Sequence, residues 1–179
     1  MTAPLPADEA ERLKALAECA ILDTPPEEAY DDLTRLAAFV CGAPLALVSL
    51  VDANRQWFKS RLGVREAQTH RNISFCSHAI LRPEPLIVPD ALHDPRFAGN
   101  PLVISEPFVR FYAGVPLRSR EGHALGTLCV LDQRPRQLQP EQLEALKALA
   151  RLAAILLELR RVLPDLHGTL ASIYGQAGR

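Results

Sequence analysis

Long hydrophobic runs are missing from this chain of 179 residues. No apolar stretch approaches the ~20 residues that a helix needs to span a bilayer. The N-terminal stretch MTAPLPADEAERLK has no basic segment followed by an apolar one, so it does not resemble a secretory signal. With a net charge of −1, the chain has no excess of positive charge that would bind nucleic acid or an anionic membrane. We therefore expect a cytoplasmic protein whose partners include neither nucleic acid nor a membrane.

Cysteine is sparse, and its four residues are widely scattered. The absence of any C-x-x-C pair argues against a zinc finger or a disulfide framework, and we predict no metal site. Cys19 and Cys41 lie within helical apolar patterns and are predicted to be small buried hydrophobic residues. Glycine-rich phosphate loops, Ser-His-Asp arrangements and nucleotide-cyclase motifs are also missing, so no catalytic residue is predicted.

What remains is the composition of an ordinary globular domain, 48% hydrophobic and 23% charged. Hydrophobic periodicity predicts helices over 9–21, 25–41, 75–81 and 140–163, and strands over 45–51, 56–61, 86–88, 111–117 and 125–131. This order predicts an α+β fold with a central antiparallel sheet. The terminal helices are expected to cover one sheet face, and the irregular segment 75–109 to roof the other, leaving a pocket. We assign a single domain to 1–163 and a weakly ordered tail to 164–179.

The last predicted helix carries two apolar stripes where one would suffice to pack on a sheet. The first has heptad spacing and consists of Ala145, Leu149, Leu152, Leu156, Leu159 and Leu163. The second consists of Leu143, Leu146, Ala150, Ala153 and Leu157. We expect one stripe to form a homodimer through helix 140–163. The alternative is a single broad face that packs within the chain.

Polar residues concentrate in and after the segment 75–109. An Arg side chain such as Arg96 or Arg110 offers a planar fork to a carboxylate or phosphate, and Asp90 and Asn100 can read amide and hydroxyl groups. The alternative is that these Asp and Asn residues organise turns. Strand alternation places Arg110 and Tyr112 on the face opposite Phe111, and Gly114 on their side leaves space for an approaching group.

Four stretches, SFCSHAI, DALHDPRFAGNPLV, RFYAGVPL and GTLCVLD, occur in this order. Together they resemble the GAF domain, in the bacterial signalling subgroup found beside histidine kinases and diguanylate cyclases. The resemblance implies a small-molecule pocket between the loop layer and the sheet. The candidate ligand-binding residues are Cys76, His78, Asp90, Arg96, Asn100, Arg110, Tyr112 and Cys129. The sequence does not specify a cofactor or the identity of the ligand.

The expected function is a non-catalytic sensory domain. A small molecule, or the redox state of Cys76, would shift the terminal helices of a dimer and so signal to a partner protein. A first alternative is a thiol-based reductase, because the free methionine-(R)-sulfoxide reductases share the GAF fold. The sequence offers no obvious close resolving cysteine for that reaction. A second alternative is a pure dimerisation module whose pocket is filled by its own side chains.

Overall fold

A computed structural model describes residues 2–176, with side chains described for 2–163. Its centre is a six-stranded antiparallel sheet in the order β3-β2-β1-β6-β5-β4. The strands are β1 (Leu45–Val51), β2 (Arg55–Leu62), β3 (Gln68–His70), β4 (Leu86–Val88), β5 (Phe111–Arg118) and β6 (Ala124–Asp132). The helices are α1 (Glu9–Glu18), α2 (Glu28–Cys41), α3 (Phe75–Ala79), α4 (Pro101–Ile104) and α5 (Pro140–Gln176). The predicted α+β class and central antiparallel sheet are confirmed.

Two hydrophobic cores lie on opposite faces of the sheet, because successive side chains of a strand point to opposite sides. Trp57 of β2 and Phe111 of β5 belong to the core beneath α1, α2 and α5. Phe58 and Tyr112, each one residue further on, belong to the core beneath α3 and α4. The predicted arrangement, terminal helices on one face and a loop layer on the other, is confirmed.

Helix α5 packs on the sheet through the second predicted stripe. Leu146, Ala150, Ala153 and Leu157 are buried. The first stripe is split: Leu149 and Leu156 pack against the core, whereas Leu152 and Leu159 are about half exposed. The exposed apolar row also takes in Ile155, Val162 and Leu163. The exposed apolar row therefore coincides fully with neither predicted stripe.

The chain continues as helix past Leu163, where the sequence predicted the end of α5. Most of the predicted tail 164–179 thus lies on this helix, and 177–179 fall outside the described residues. Within 2–176, no helix combines the length and the apolar character required to cross a bilayer.

Some predicted boundaries were wrong. Helix α1 ends at Glu18 rather than at 21, because Ala20 adopts a left-handed backbone conformation with φ 46°. Helix α3 ends at Ala79 rather than at 81. Strand β3, helix α4 and a 3-10 turn over Arg71–Ile73 were not predicted at all.

A buried ion cluster ties α1 to the segment that leads into α3. Arg12 is fully buried, and its Nη1 donates to the Val51 carbonyl at 2.6 Å. Glu9 accepts two bonds from Arg12 at 2.9 Å and two from Arg71 at 2.5 and 3.1 Å. Burial opposes ionisation of Glu9, but these hydrogen bonds outweigh it and lower the pKa of Glu9 to about 2. The Ser77 hydroxyl of α3 in turn donates to the Arg71 carbonyl at 3.2 Å.

Candidate functional site: a cavity between the sheet and α3

A cavity of about 640 Å³ lies between the sheet and the layer formed by α3, α4 and the chain after α4. Its apolar lining includes Leu45, Leu47, Phe58, Val64, Phe75, Leu102, Phe108, Val109 and Leu131. Polar lining comes from Gln56 and Thr69 and, in exposed positions, from Arg65, Glu66, Glu106 and Gln133. A mostly apolar cavity of this size with a few polar groups is typical of small-molecule sites.

Three of the eight predicted binding residues line this cavity: Cys76, Tyr112 and Cys129. The other five, His78, Asp90, Arg96, Asn100 and Arg110, do not. Their polar groups contact neighbouring parts of the chain instead.

Arg110 and Asp90 form a two-bond ion pair. Arg110 Nε and Nη2 donate to the two carboxylate oxygens at 2.7 and 2.6 Å. His93 Nδ1 lies 2.8 Å from the same carboxylate. The hydrogen bonds from Arg110 lower the pKa of Asp90 well below its ordinary value. The predicted anion-binding fork of Arg110 is thus already occupied.

The remaining three residues outside the cavity also have structural contacts. Arg96 donates to both carboxylate oxygens of Asp94 at 2.9 and 2.5 Å and lies over the Phe97 ring. Asn100 caps α4 by accepting from the Leu102 amide at 2.9 Å, and its amide group donates to a backbone carbonyl. His78 packs edge-on against Phe97, with ring centroids 4.8 Å apart. The geometry of Asn100 therefore fits the alternative stated in the sequence analysis, that this residue organises a turn.

Cys76 sits at the centre of a buried polar cluster in the cavity wall. The Thr127 hydroxyl donates to Cys76 Sγ at 3.1 Å, and the Tyr112 hydroxyl donates at 3.4 Å. Cys129 Sγ lies 3.9 Å from Cys76 Sγ. Ser49 is fully buried on the same sheet face, and its hydroxyl has no hydrogen-bond partner among the described residues. The sequence showed no second cysteine close to Cys76, but the fold places Cys129 beside it.

The two sulfurs of this cluster differ in their electrostatics. Burial opposes ionisation of Cys76, but hydrogen bonding with Cys129 and from the Thr127 and Tyr112 hydroxyls outweighs it and lowers the pKa of Cys76. Burial, followed by the neighbouring Cys76, raises the pKa of Cys129 well above its ordinary value. The Thr127 and Tyr112 hydroxyls, both directed at Cys76 Sγ, favour a negative charge on that sulfur over one on Cys129.

The two remaining cysteines behave as the sequence predicted. Cys19 and Cys41 are buried in the core on the helix side of the sheet. Burial raises the pKa of each of these thiols to about 11. They are small hydrophobic residues in their packing.

The space that Gly114 was expected to leave is filled from within the chain. A Cβ at this position would collide with the Tyr112 phenol, which lies over the glycine. Tyr112 also stacks on Phe75 with ring centroids 5.2 Å apart. Gly114 thus allows the tyrosine hydroxyl to reach Cys76.

Gln56 is a polar lining residue that the sequence reading missed. Its amide donates to Thr69 Oγ1 at 3.2 Å, and its carbonyl oxygen accepts from the Ser74 hydroxyl. Alternation along β2 could have found it, since Gln56 lies two residues before Phe58 and so on the same face. The described residues contain no group of three or more His, Cys, Asp or Glu side chains that could hold a metal ion.

Solved structures with this architecture include domains of signalling proteins and of enzymes. The blue-light-absorbing PixJ GAF domain of Thermosynechococcus elongatus matches with a TM-score of 0.63 at 16% identity, covering 96% of this chain and 98% of that one. A type II free methionine-R-sulfoxide reductase of Thermoplasma acidophilum matches with a TM-score of 0.57 at 15% identity, covering 73% and 92%. At these identities the likeness establishes the fold alone.

The model of the GAF domain family matches residues 25–157. This chain therefore belongs to the GAF family, as its motifs indicated, and is a sensory or regulatory domain. It is also 41% identical over 152 residues to a cyclic di-GMP phosphodiesterase of Pseudomonas aeruginosa. That match covers 84% of this chain but 26% of the relative, so the chain spans about a quarter of the relative's length.

Proposed function

We propose that this GAF domain binds a small molecule in the cavity and transmits its presence through α5 in a homodimer. The cavity of about 640 Å³ beneath α3 and α4 is the observation that carries the proposal. This volume favours a ligand-binding domain over a module whose pocket is filled by its own side chains. The proposed role is regulatory, without chemical turnover of the ligand.

The lining favours a largely apolar ligand with a few polar groups. Phe58 and Phe108 offer aromatic surface, and the buried Gln56 amide can exchange one of its internal bonds for a bond to the ligand. Arg65 is exposed in the lining and forms no ion pair with the described residues. An anionic group on the ligand would therefore meet Arg65 rather than Arg110.

The exposed apolar row of α5 supports the dimer. Leu152, Ile155, Leu159 and Val162 follow one another at heptad spacing, and a monomer would leave them in water. An open groove lined by Val115 and Pro116 extends this surface beside Ile155. Ligand binding would signal if it favoured one of two arrangements of the paired helices.

The likeness to part of a cyclic di-GMP phosphodiesterase supports a specific output. The activity named for that relative belongs to a protein about four times longer than the matched region. We propose that this GAF domain acts as a regulatory input to an enzyme of cyclic di-GMP turnover.

Native mass spectrometry of freshly purified protein tests the proposal, because it reports bound mass and stoichiometry together. We expect a dimer that carries a small molecule. Replacing Leu102 by Trp fills the cavity and should remove the bound mass, while the dimer remains. The matched control is Phe39→Trp, since Phe39 is 84% exposed on α2 and lies outside the cavity. A wild-type protein that carries no ligand and shows no thermal shift with any member of a metabolite panel would contradict the proposal.

A thiol reductase is the second candidate, and the 3.9 Å separation of the Cys76 and Cys129 sulfurs favours it. A reductase needs a nucleophilic thiolate and a second thiol that regenerates it. The test is reduction of free methionine sulfoxide with a thiol reductant. We expect no turnover by the wild type. Turnover by the wild type that disappears in Cys76→Ser would show that the domain is an enzyme rather than a sensor.

A further inference from the structure

Two thiols that are far apart in the sequence share one wall of the cavity. Cys76 lies on α3 and Cys129 on β6, and both line the cavity. Their sulfurs are 3.9 Å apart, whereas a disulfide bond needs ~2.05 Å. The two sulfurs must therefore move closer together for a bond to form.

The donors around Cys76 are arranged for a negatively charged sulfur. Thr127 and Tyr112 both direct hydroxyl groups at it, and the buried Ser49 hydroxyl on the same sheet face has no hydrogen-bond partner among the described residues. Several neutral donors that converge on one buried atom stabilise an anion there, as they do in an oxyanion hole. Cys19 is equally buried but donates a single bond to a backbone carbonyl, as a structural thiol does.

We infer that Cys76 and Cys129 form an oxidisable dithiol that a small hydroperoxide entering the cavity converts to a disulfide. The inference rests on the proposed regulatory function, in which this disulfide would be a second input to the same cavity. Hydroperoxides are the class of oxidant that fits, because they are small and react with a thiolate directly.

The chemistry balances in two steps. The Cys76 thiolate attacks one peroxide oxygen, the O–O bond breaks, and the leaving oxygen takes a proton to become an alcohol or water. The resulting sulfenic acid at Cys76 is attacked by the Cys129 sulfur. The S–S bond forms, the S–O bond breaks, and the released hydroxide leaves as water with the Cys129 proton. In sum, two thiols lose two electrons and two protons, and the hydroperoxide is reduced to one alcohol or water and one further water.

The disulfide would change the cavity wall. Cys76 Sγ would be lost as a thiolate acceptor for Thr127 and Tyr112, and α3 would shift towards β6. Tyr112 stacks on Phe75 of α3, so the aromatic lining would move with the helix.

Thiol counting on the full chain tests the inference. Reduced protein is treated with one equivalent of hydrogen peroxide, denatured, alkylated and weighed. We expect the number of alkylated cysteines to fall from four to two, with a linked pair of peptides that contain Cys76 and Cys129. Dithiothreitol should restore all four. The Cys41→Ser control should lose two thiols in the same way.

Removing the second thiol should trap the intermediate. In Cys129→Ser, or Cys129→Ala if the serine variant does not fold, we expect a sulfenic acid at Cys76 that reacts with dimedone. Oxidation of Cys19 or Cys41 as fast as that of Cys76, or a wild type that forms no Cys76–Cys129 link, would overturn the inference. A wild type that binds a ligand but forms no disulfide would overturn this inference and still support the proposed sensory function. A disulfide that changes neither ligand occupancy nor the dimer would instead remove the regulatory role.

Discussion

Two arginines near the cavity differ in what they contact, and this difference sets their expected roles. Arg110 is held by two hydrogen bonds to Asp90, whereas Arg65 lines the cavity and forms no ion pair with the described residues. We expect Arg110→Ala to lower the melting temperature and leave ligand affinity unchanged. Arg65→Ala should lower the affinity for an anionic ligand by about tenfold without affecting the stability of the domain, since it removes a charge-assisted hydrogen bond to the ligand. Calorimetry and ligand titration on both variants measure the contrast, and the reverse pattern would refute it.

Glu9 should make the stability of the domain depend on pH. Its pKa is about 2 in the folded protein against an ordinary value of 4.5, so its ionised form stabilises the fold above pH 4.5. This contribution is lost as the pH falls from 4.5 towards 2. The shift corresponds to about 3 kcal/mol, and Glu9→Gln should remove that part of the pH dependence. Urea denaturation across this range measures it, with the exposed Glu11→Gln as the control, and an unchanged pH profile in Glu9→Gln would contradict the assignment.

At the scale of elements, the pairing of β1 with β6 depends on a glycine. A Cβ on Gly126 would collide with the Ser49 carbonyl oxygen and the Leu50 backbone of the adjacent strand. We expect Gly126→Ala to cost about 1–3 kcal/mol of unfolding free energy, as overpacking in a core does. Gly99→Ala is the control, because no atom lies within 4 Å of its added Cβ. Chemical denaturation of both variants gives the comparison, and equal stabilities would show that the strands separate easily.

Elements with a clear hydrophobic period could be predicted from the sequence, and the others could not. Strands β1, β5 and β6 are apolar along most of their length and were found close to their observed bounds. Strand β3 was missed because Gln68–His70 is polar and shows no hydrophobic alternation, so its pairing with β2 leaves no signal in the sequence. Helix α4 was missed because Pro101–Ile104 is too short to show a period.

The candidate site was likewise only partly predictable from the sequence. The motifs and strand alternation picked out Cys76, Tyr112 and Cys129, but residue types alone did not distinguish a free arginine from Arg110, which is already paired. The approach of Cys129 to Cys76 was also missed. It arises from the packing of α3 on β6, across 53 positions of sequence.

At the scale of the whole molecule, the two sides of α5 should respond differently to charge. Replacing Leu152 and Leu159 by Glu places carboxylates on the exposed row and should give a folded monomer. Replacing Ala150 and Ala153 by Glu buries two charges against the sheet and should unfold the domain. Sedimentation velocity and circular dichroism distinguish the outcomes. A wild-type monomer at concentrations of about tens of micromolar would remove the proposed interface.

The opposite orientations of Trp57 and Phe58 have an optical consequence. Phe58 lines the cavity, whereas Trp57, the single tryptophan of the chain, is buried beneath the helices on the other sheet face. Its indole emission is therefore shielded from direct quenching by a ligand and senses the surroundings of α1, α2 and α5. A change in that emission on ligand addition would show, without a label, that ligand binding on one face of the sheet alters the packing of the helices on the other face.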